Sequence, residues 1–159
     1  MVRRSVGGRI VRAGIGAALI VCLGAGLVVA RPPGHAADAG PLAWRREVLG
    51  LMNDARSDAQ VPRLRINRDL SRRAMAHTRQ MIAQRRVFRT ENMDDIVEPY
   101  GASLWAEELA RGRTLEANVR AWLNQADTRG HLLDARMRHA AIGVLFTNGR
   151  YWITVYLHN

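Results

Sequence analysis

A chain of 159 residues with 48% hydrophobic content has enough apolar side chains for one packed core and is too short for two domains of ordinary size. Its single cysteine, Cys22, excludes a disulfide framework. Its formal charge of +10, carried by 24 arginines and no lysine, sets it against cationic partners and toward anionic ones.

Arg3, Arg4, Arg9 and Arg12 precede an uncharged run from Ala13 to Ala30, which Arg31-Pro32-Pro33 ends. A basic head, an apolar stretch and small residues before a break make residues 1–30 a secretory signal, with cleavage after Ala30 or Ala39. Left uncut, the run is just long enough to serve as an N-terminal membrane anchor. Valine before Cys22 argues against lipidation there. Residues 31–41, rich in Pro, Gly and Ala, read as a linker, and residues 42–159 as the exported domain. The expected location is secreted or extracytoplasmic.

Leaving out the five arginines before Gly40 and Asp38, 19 arginines face 13 acids in the remainder, a charge of about +6. Nine of them fall between Arg63 and Arg89, where the only acid is Asp69. Such a face suits an anionic membrane, a lipid or a cell-wall polymer, and export makes nucleic acid an unexpected partner. The alternative is a plain solvated helix face.

Val48, Leu51, Met52 and Ala55 recur at helical spacing with Asn53 and Arg56 on the polar side, and the helix stops before Val61-Pro62. Asn67 is a good N-cap for a second helix, with Leu70, Ala74, His77 and Met81 on one face and Arg68, Arg72, Arg79 and Arg86 pointing away. His77 then lies at the buried edge as a hydrogen-bonded core histidine. Val87 and Phe88 close that helix, an acidic loop runs from Glu91 to Pro99, and Tyr100 to Trp105 is read as a short strand. Thr114 caps a third helix that turns Leu115, Val119, Trp122 and Leu123 inward and pairs Glu116 with Arg120. Gln125 to Gly130 reads as a loop.

Asn148-Gly149 between two apolar runs is a two-residue hairpin signal. It pairs Phe146 with Tyr151, Val144 with Ile153 and Ile142 with Val155 on one face, and Leu145 with Trp152, Gly143 with Thr154 and Ala141 with Tyr156 on the other. Both faces are apolar, so both need cover. An α/β fold follows: an α-β-α sandwich whose central antiparallel sheet ends in the C-terminal hairpin.

Chemistry concentrates between Trp105 and Val144. Glu107 and Glu108 sit in an apolar run closed by Gly112, and His131 and His139 follow the third helix. Converging carboxylates and imidazoles can serve acid/base catalysis or a divalent metal. The plainer alternative is one structural carboxylate, Glu107, beside a solvent-facing one, Glu108. The histidines, eight residues apart, lack metal-ligand spacing.

Taken together, six segments resemble the CAP superfamily of cysteine-rich secretory proteins, antigen 5 and pathogenesis-related proteins, in its short cysteine-free bacterial branch. They are Met52-Asn53-Asp54-Ala55-Arg56, Val61-Pro62-Arg63-Leu64, Leu70 to Met81, Ala106-Glu107-Glu108-Leu109-Ala110, Trp122-Leu123-Asn124 and Arg138 to Val144. The resemblance implies the same α-β-α sandwich and a large cleft with two histidines and two glutamates that can hold a divalent metal. Carried onto this chain, those positions fall on Thr90, Glu107, Gln125 and Thr128, with His131 nearby as a substitute imidazole. Only Glu107 keeps its charge. The expectation is therefore a cleft with no metal and no cofactor, acting as a monomer that binds a lipid, an envelope polymer or a protein. The alternative is a hydrolase-like enzyme using Glu107 with His131 or His77.

Overall fold

The computed structural model describes residues 40–159. The signal or anchor and nearly all of the linker lie outside the described residues. Within them, α1 (Gly40–Asp58), β1 (Arg65–Ile66), α2 (Arg68–Ala83), α3 (Met93–Val97), a 3-10 turn (Glu98–Tyr100), β2 (Trp105–Gly112), α4 (Leu115–Asn124), α5 (Ala126–Leu133), β3 (His139–Thr147) and β4 (Arg150–His158) follow in order. They build a four-stranded sheet in the order β1-β3-β4-β2. The hairpin and the β2–β4 pair are antiparallel, while the two-residue β1 joins β3 in parallel.

The hairpin has the register its sequence dictates, from Ala141 opposite Tyr156 to Phe146 opposite Tyr151. Asn148 and Gly149 both take positive φ, 49° and 70°, which a two-residue turn needs to match the strand twist. Ile142, Val144, Ile153 and Val155 pack into the larger core with Val48 and Met52 of α1, Leu115, Val119 and Trp122 of α4 and Leu132 of α5. Ala141 and Tyr156 face the other way, against Leu70 and Ala74 of α2 and Met93 and Val97 of α3. Gly143 lets α2 come close: a Cβ there would lie 2.5 Å from the Ala74 carbonyl. These are the two helical layers that the doubly apolar hairpin requires.

Several boundaries differ from the sequence reading. Helix α1 begins at Gly40, so the last two linker residues are helical, and Trp44 is buried against Phe146 and Tyr151. Helix α2 stops at Ala83, short of Val87, because Arg85 adopts φ 54° and the Arg86 amide donates back to the Met81 carbonyl. Part of the acidic loop is the short α3, and the strand expected over Tyr100 to Trp105 instead starts at Trp105. The stretch after Gln125 is helical rather than a loop. No Glu116–Arg120 ion pair forms among the described residues.

The largest departure concerns Asn53 and Arg56, placed on the polar side of α1 by their chemistry but buried in the structure. Asn53 exchanges two hydrogen bonds with the backbone of Leu64, at 3.1 and 2.7 Å. Arg56, 0% exposed, donates to the carbonyls of Pro62, Leu132, Asp134 and Met137. Its hydrogen bonds all go to carbonyls, and the nearby Asp134 carboxylate, itself bonded to Arg136, adds a favourable charge. One guanidinium thus ties α1 to the β1 approach and to the α5–β3 connection. Lysine carries its three N–H donors on one nitrogen, whereas Arg56 spreads its donors over three, so lysine cannot reach all four carbonyls, and each buried carbonyl left unpaired costs on the order of 1–3 kcal/mol. Arg56→Lys should therefore lower stability by at least about 1 kcal/mol in chemical denaturation, whereas Arg46→Lys on the same helix should be neutral.

Candidate functional site

A cleft of about 450 Å³ opens along the free side of β2. Its lining comes from the turn after α2 (Val87, Phe88, Arg89), from β2 itself (Glu107 to Arg111), from α4 and its cap (Asn118, Trp122, Gln125) and from α5 (Thr128). Consecutive strand residues point to opposite faces, yet Glu107 and Glu108 are only 3% and 2% exposed. The sheet is covered on both faces, so neither carboxylate reaches open solvent. This corrects the expectation that Glu108 faces water.

Glu107 is paired in register with Tyr156, on the α2 side. Both its carboxylate oxygens accept from the Thr90 amide, at 3.0 and 3.2 Å, and Arg89 lies 3.6 Å from Oε2 while donating to the Glu107 carbonyl. The Thr90 hydroxyl is 2.8 Å from the Tyr156 hydroxyl. Burial, with the nearby charge of Glu107, pushes the Tyr156 phenol up to about 12, although the Thr90 contact opposes this, so the phenol keeps its proton at neutral pH. Glu107 therefore fastens the turn after α2 to the sheet. Thr128 and Gln125 do not reach it: the Thr128 hydroxyl donates to the Trp122 carbonyl.

Glu108 faces the other layer and meets His131 of α5, whose Nδ1 is 2.8 Å from Oε1. The imidazole side chain is 47% exposed. Burial raises the Glu108 carboxyl above the ordinary glutamate range, and the His131 hydrogen bond only partly offsets it. His77 is separate from this pair. Its Nδ1 is 3.3 Å from Thr154 Oγ1, its ring stands edge-on to Phe88, and its Nε2 is buried without a hydrogen-bond partner among the described residues. Burial pushes the His77 imidazole down, toward the neutral form.

Of the residues named from sequence, Glu107, Gln125 and Thr128 line the cleft, while Thr90 and His131 bear on it through the two glutamates. Sequence reasoning named Glu108 but placed it in solvent, and it missed Arg89, Arg111 and Asn118. The available signal was the strand period itself: a Glu-Glu pair in a strand covered on both faces must bury both members. The β2 carbonyls of Glu107 and Leu109 accept from Arg89 and from the Trp122 indole N–H, at 3.0 and 3.1 Å. Side chains thus occupy acceptors that an added strand would need.

The four family positions do not fit a divalent cation. Both threonine hydroxyls are engaged within the chain, Glu107 is the one carboxylate, and among the described residues no three His, Cys, Asp or Glu side chains gather. Zinc titrated into the protein should bind more weakly than about 1 µM. Submicromolar binding that disappears in His131→Ala would contradict this. The raised Glu108 carboxyl sets a second expectation. A folded pKa above the unfolded one contributes stability fully present below the ordinary glutamate value and lost as pH rises through the folded value. The melting temperature of Glu108→Gln relative to the parent should therefore climb as pH is raised from the ordinary glutamate value toward neutrality. A difference that stays constant over that range would count against the buried placement.

A family model described as "CAP: Cysteine-rich secretory protein family" matches residues 49–157. Comparison with curated protein sequences finds no match. Among solved structures, an extracellular protein containing an SCP domain from Bacillus anthracis is similar over 81% of this chain at 17% identity, with a TM-score of 0.63. The chain spans 44% of that protein's length. An outer surface protein of Borrelia burgdorferi is similar over 74% of this chain and 92% of its own, at 17% identity and a TM-score of 0.64. A cysteine-rich secretory protein of Staphylococcus aureus is similar over 76% of this chain and 40% of its own, at 14% identity and a TM-score of 0.63. At these identities the likeness speaks for the fold alone.

Proposed function

This chain belongs to the cysteine-rich secretory protein (CAP) family, and from that premise we propose that it is an exported, non-catalytic binding domain whose cleft takes a polar polymer of the cell envelope. One observation carries the reading: the cleft's acid and hydroxyl groups are already engaged within the chain. Glu107 is held by Thr90 and Arg89, Glu108 by His131, and Thr128 by the Trp122 carbonyl. No serine or cysteine stands among the lining residues to act as a nucleophile.

Arg89, Arg111, Asn118 and Gln125 supply polar groups beside the apolar surfaces of Phe88, Leu109 and Trp122. A chain of sugar rings, with hydroxyl and amide edges and apolar faces, matches that mixture. A lipid tail would want an enclosed apolar cavity, and this cleft is charged and open to solvent. An extended peptide would want free strand groups, which Arg89 and Trp122 already occupy. Export is supported by the basic head and apolar run of residues 1–30, and by similar proteins described as extracellular or outer-surface.

The Glu108–His131 contact favours a second reading, a carboxylate–imidazole pair for acid/base work, in place of the Glu107-based hydrolase suggested by sequence. The two are separable. Soluble cell-wall glycan fragments should bind the full chain, with about tenfold loss in Arg111→Gln/Gln125→Ala, and should be recovered uncleaved. Fragment cleavage that vanishes in both Glu108→Gln and His131→Gln would overturn the binding reading in favour of catalysis.

A further inference from the structure

A second hollow lies at the other edge of the sheet, away from the cleft. It has a volume of about 480 Å³ and is lined by Pro62, Arg63, Arg65, Arg138 and His139. Its frame is fixed by backbone pairing. The parallel β1–β3 contact sets Arg65 opposite His139, and the Arg65 amide donates to the Arg138 carbonyl at 2.9 Å. Arg63, Arg65 and Arg138 are exposed, the lining holds no acid, and among the described residues none of the three takes part in an ion pair.

A fourth positive charge stands beneath them. The buried Arg56 donates to the carbonyls of Pro62 and Met137, so it anchors both segments that carry the exposed arginines. Its guanidinium pKa is lowered first by burial and next by the charge of Arg138. His139, stacked on His158 at 4.8 Å, holds a buried Nδ1 with no hydrogen-bond partner among the described residues. Like charges gathered around one concavity repel each other, and an anion seated there reverses that sign.

We propose that this hollow is a binding site for a phosphate-type oxyanion, independent of the cleft. Three guanidiniums present planar donor forks that match phosphoryl oxygens better than a single carboxylate. The volume exceeds that of inorganic phosphate, which leaves room for the organic group of a phosphate ester, either a lipid headgroup or a soluble phosphodiester.

The test uses the full chain with inorganic phosphate as probe, against sodium chloride at matched ionic strength. Phosphate should raise the melting temperature beyond chloride in the parent and in Arg79→Gln/Arg85→Gln, which removes two exposed charges elsewhere. In Arg65→Gln/Arg138→Gln, phosphate affinity should fall about tenfold or more. Without phosphate, Arg138→Gln should melt above the parent, because it removes a charge that repels Arg56. Equal phosphate effects in the two double variants, or an effect no larger than that of chloride, would overturn the proposal. Phosphatidylglycerol vesicles then separate the sources. Binding that is lost in Arg65→Gln/Arg138→Gln and competed by free phosphate assigns the lipid headgroup, and no vesicle binding alongside an intact phosphate effect assigns a soluble ester. Vesicle binding indifferent to both variant and competitor would count against the hollow as the site.

Discussion

A fully buried guanidinium organises this domain. Arg56 holds the α1 C-terminus, the segment entering β1 and the α5–β3 connection by hydrogen bonds to four carbonyls, and Asn53, one turn earlier, locks the Leu64 backbone. In a chain whose described residues contain no cysteine, these polar clamps do work that covalent links do in small secreted domains. A buried charge is costly unless every donor is met, so the geometry of all three segments is coupled to one side chain. That coupling fixes the position of α5, and with it His131, against the sheet.

The cleft follows from the sheet's asymmetry. The strand β2 has one partner, β4, and its other side is covered by side chains rather than by a further strand. Because helices lie on both faces, the adjacent glutamates are buried in opposite directions and each must find its own donor. Glu107 finds the Thr90 amide and Arg89; Glu108 finds His131. Where the wider family's resemblance leads one to expect imidazoles, this chain has threonines whose hydroxyls are bonded within the chain, Thr90 to Tyr156 and Thr128 to the Trp122 carbonyl. The result is a cleft that keeps the fold's shape with its acid and hydroxyl groups committed internally.

Much of the fold was legible because its signals are local. The Asn148-Gly149 turn sets the hairpin register, and the register alone implies two apolar faces and hence two helical layers. Asn67 and Thr114 both act as N-caps, accepting from the amides of Leu70 and Ala117. Arg56 and Asn53 were misplaced because helical periodicity assigns polar residues to the outside and carries no information on distant carbonyls. The Glu108–His131 pair was hidden for a similar reason: it joins residues 23 apart across two elements, one of which, α5, has little apolar periodicity to announce it. Strand β1, two residues long, is too short to leave any pattern.

Both cleft carboxylates belong to the chain's own hydrogen-bond network, Glu107 through the Thr90 amide and Glu108 through His131. A carboxyl- and imidazole-resolved NMR titration tests it most directly. Glu108 is expected to titrate above the ordinary glutamate range, and saturating zinc to leave the Glu107 and Glu108 signals in place. A Glu108 titration in the ordinary range, or zinc-induced shifts of both carboxylates, would contradict it.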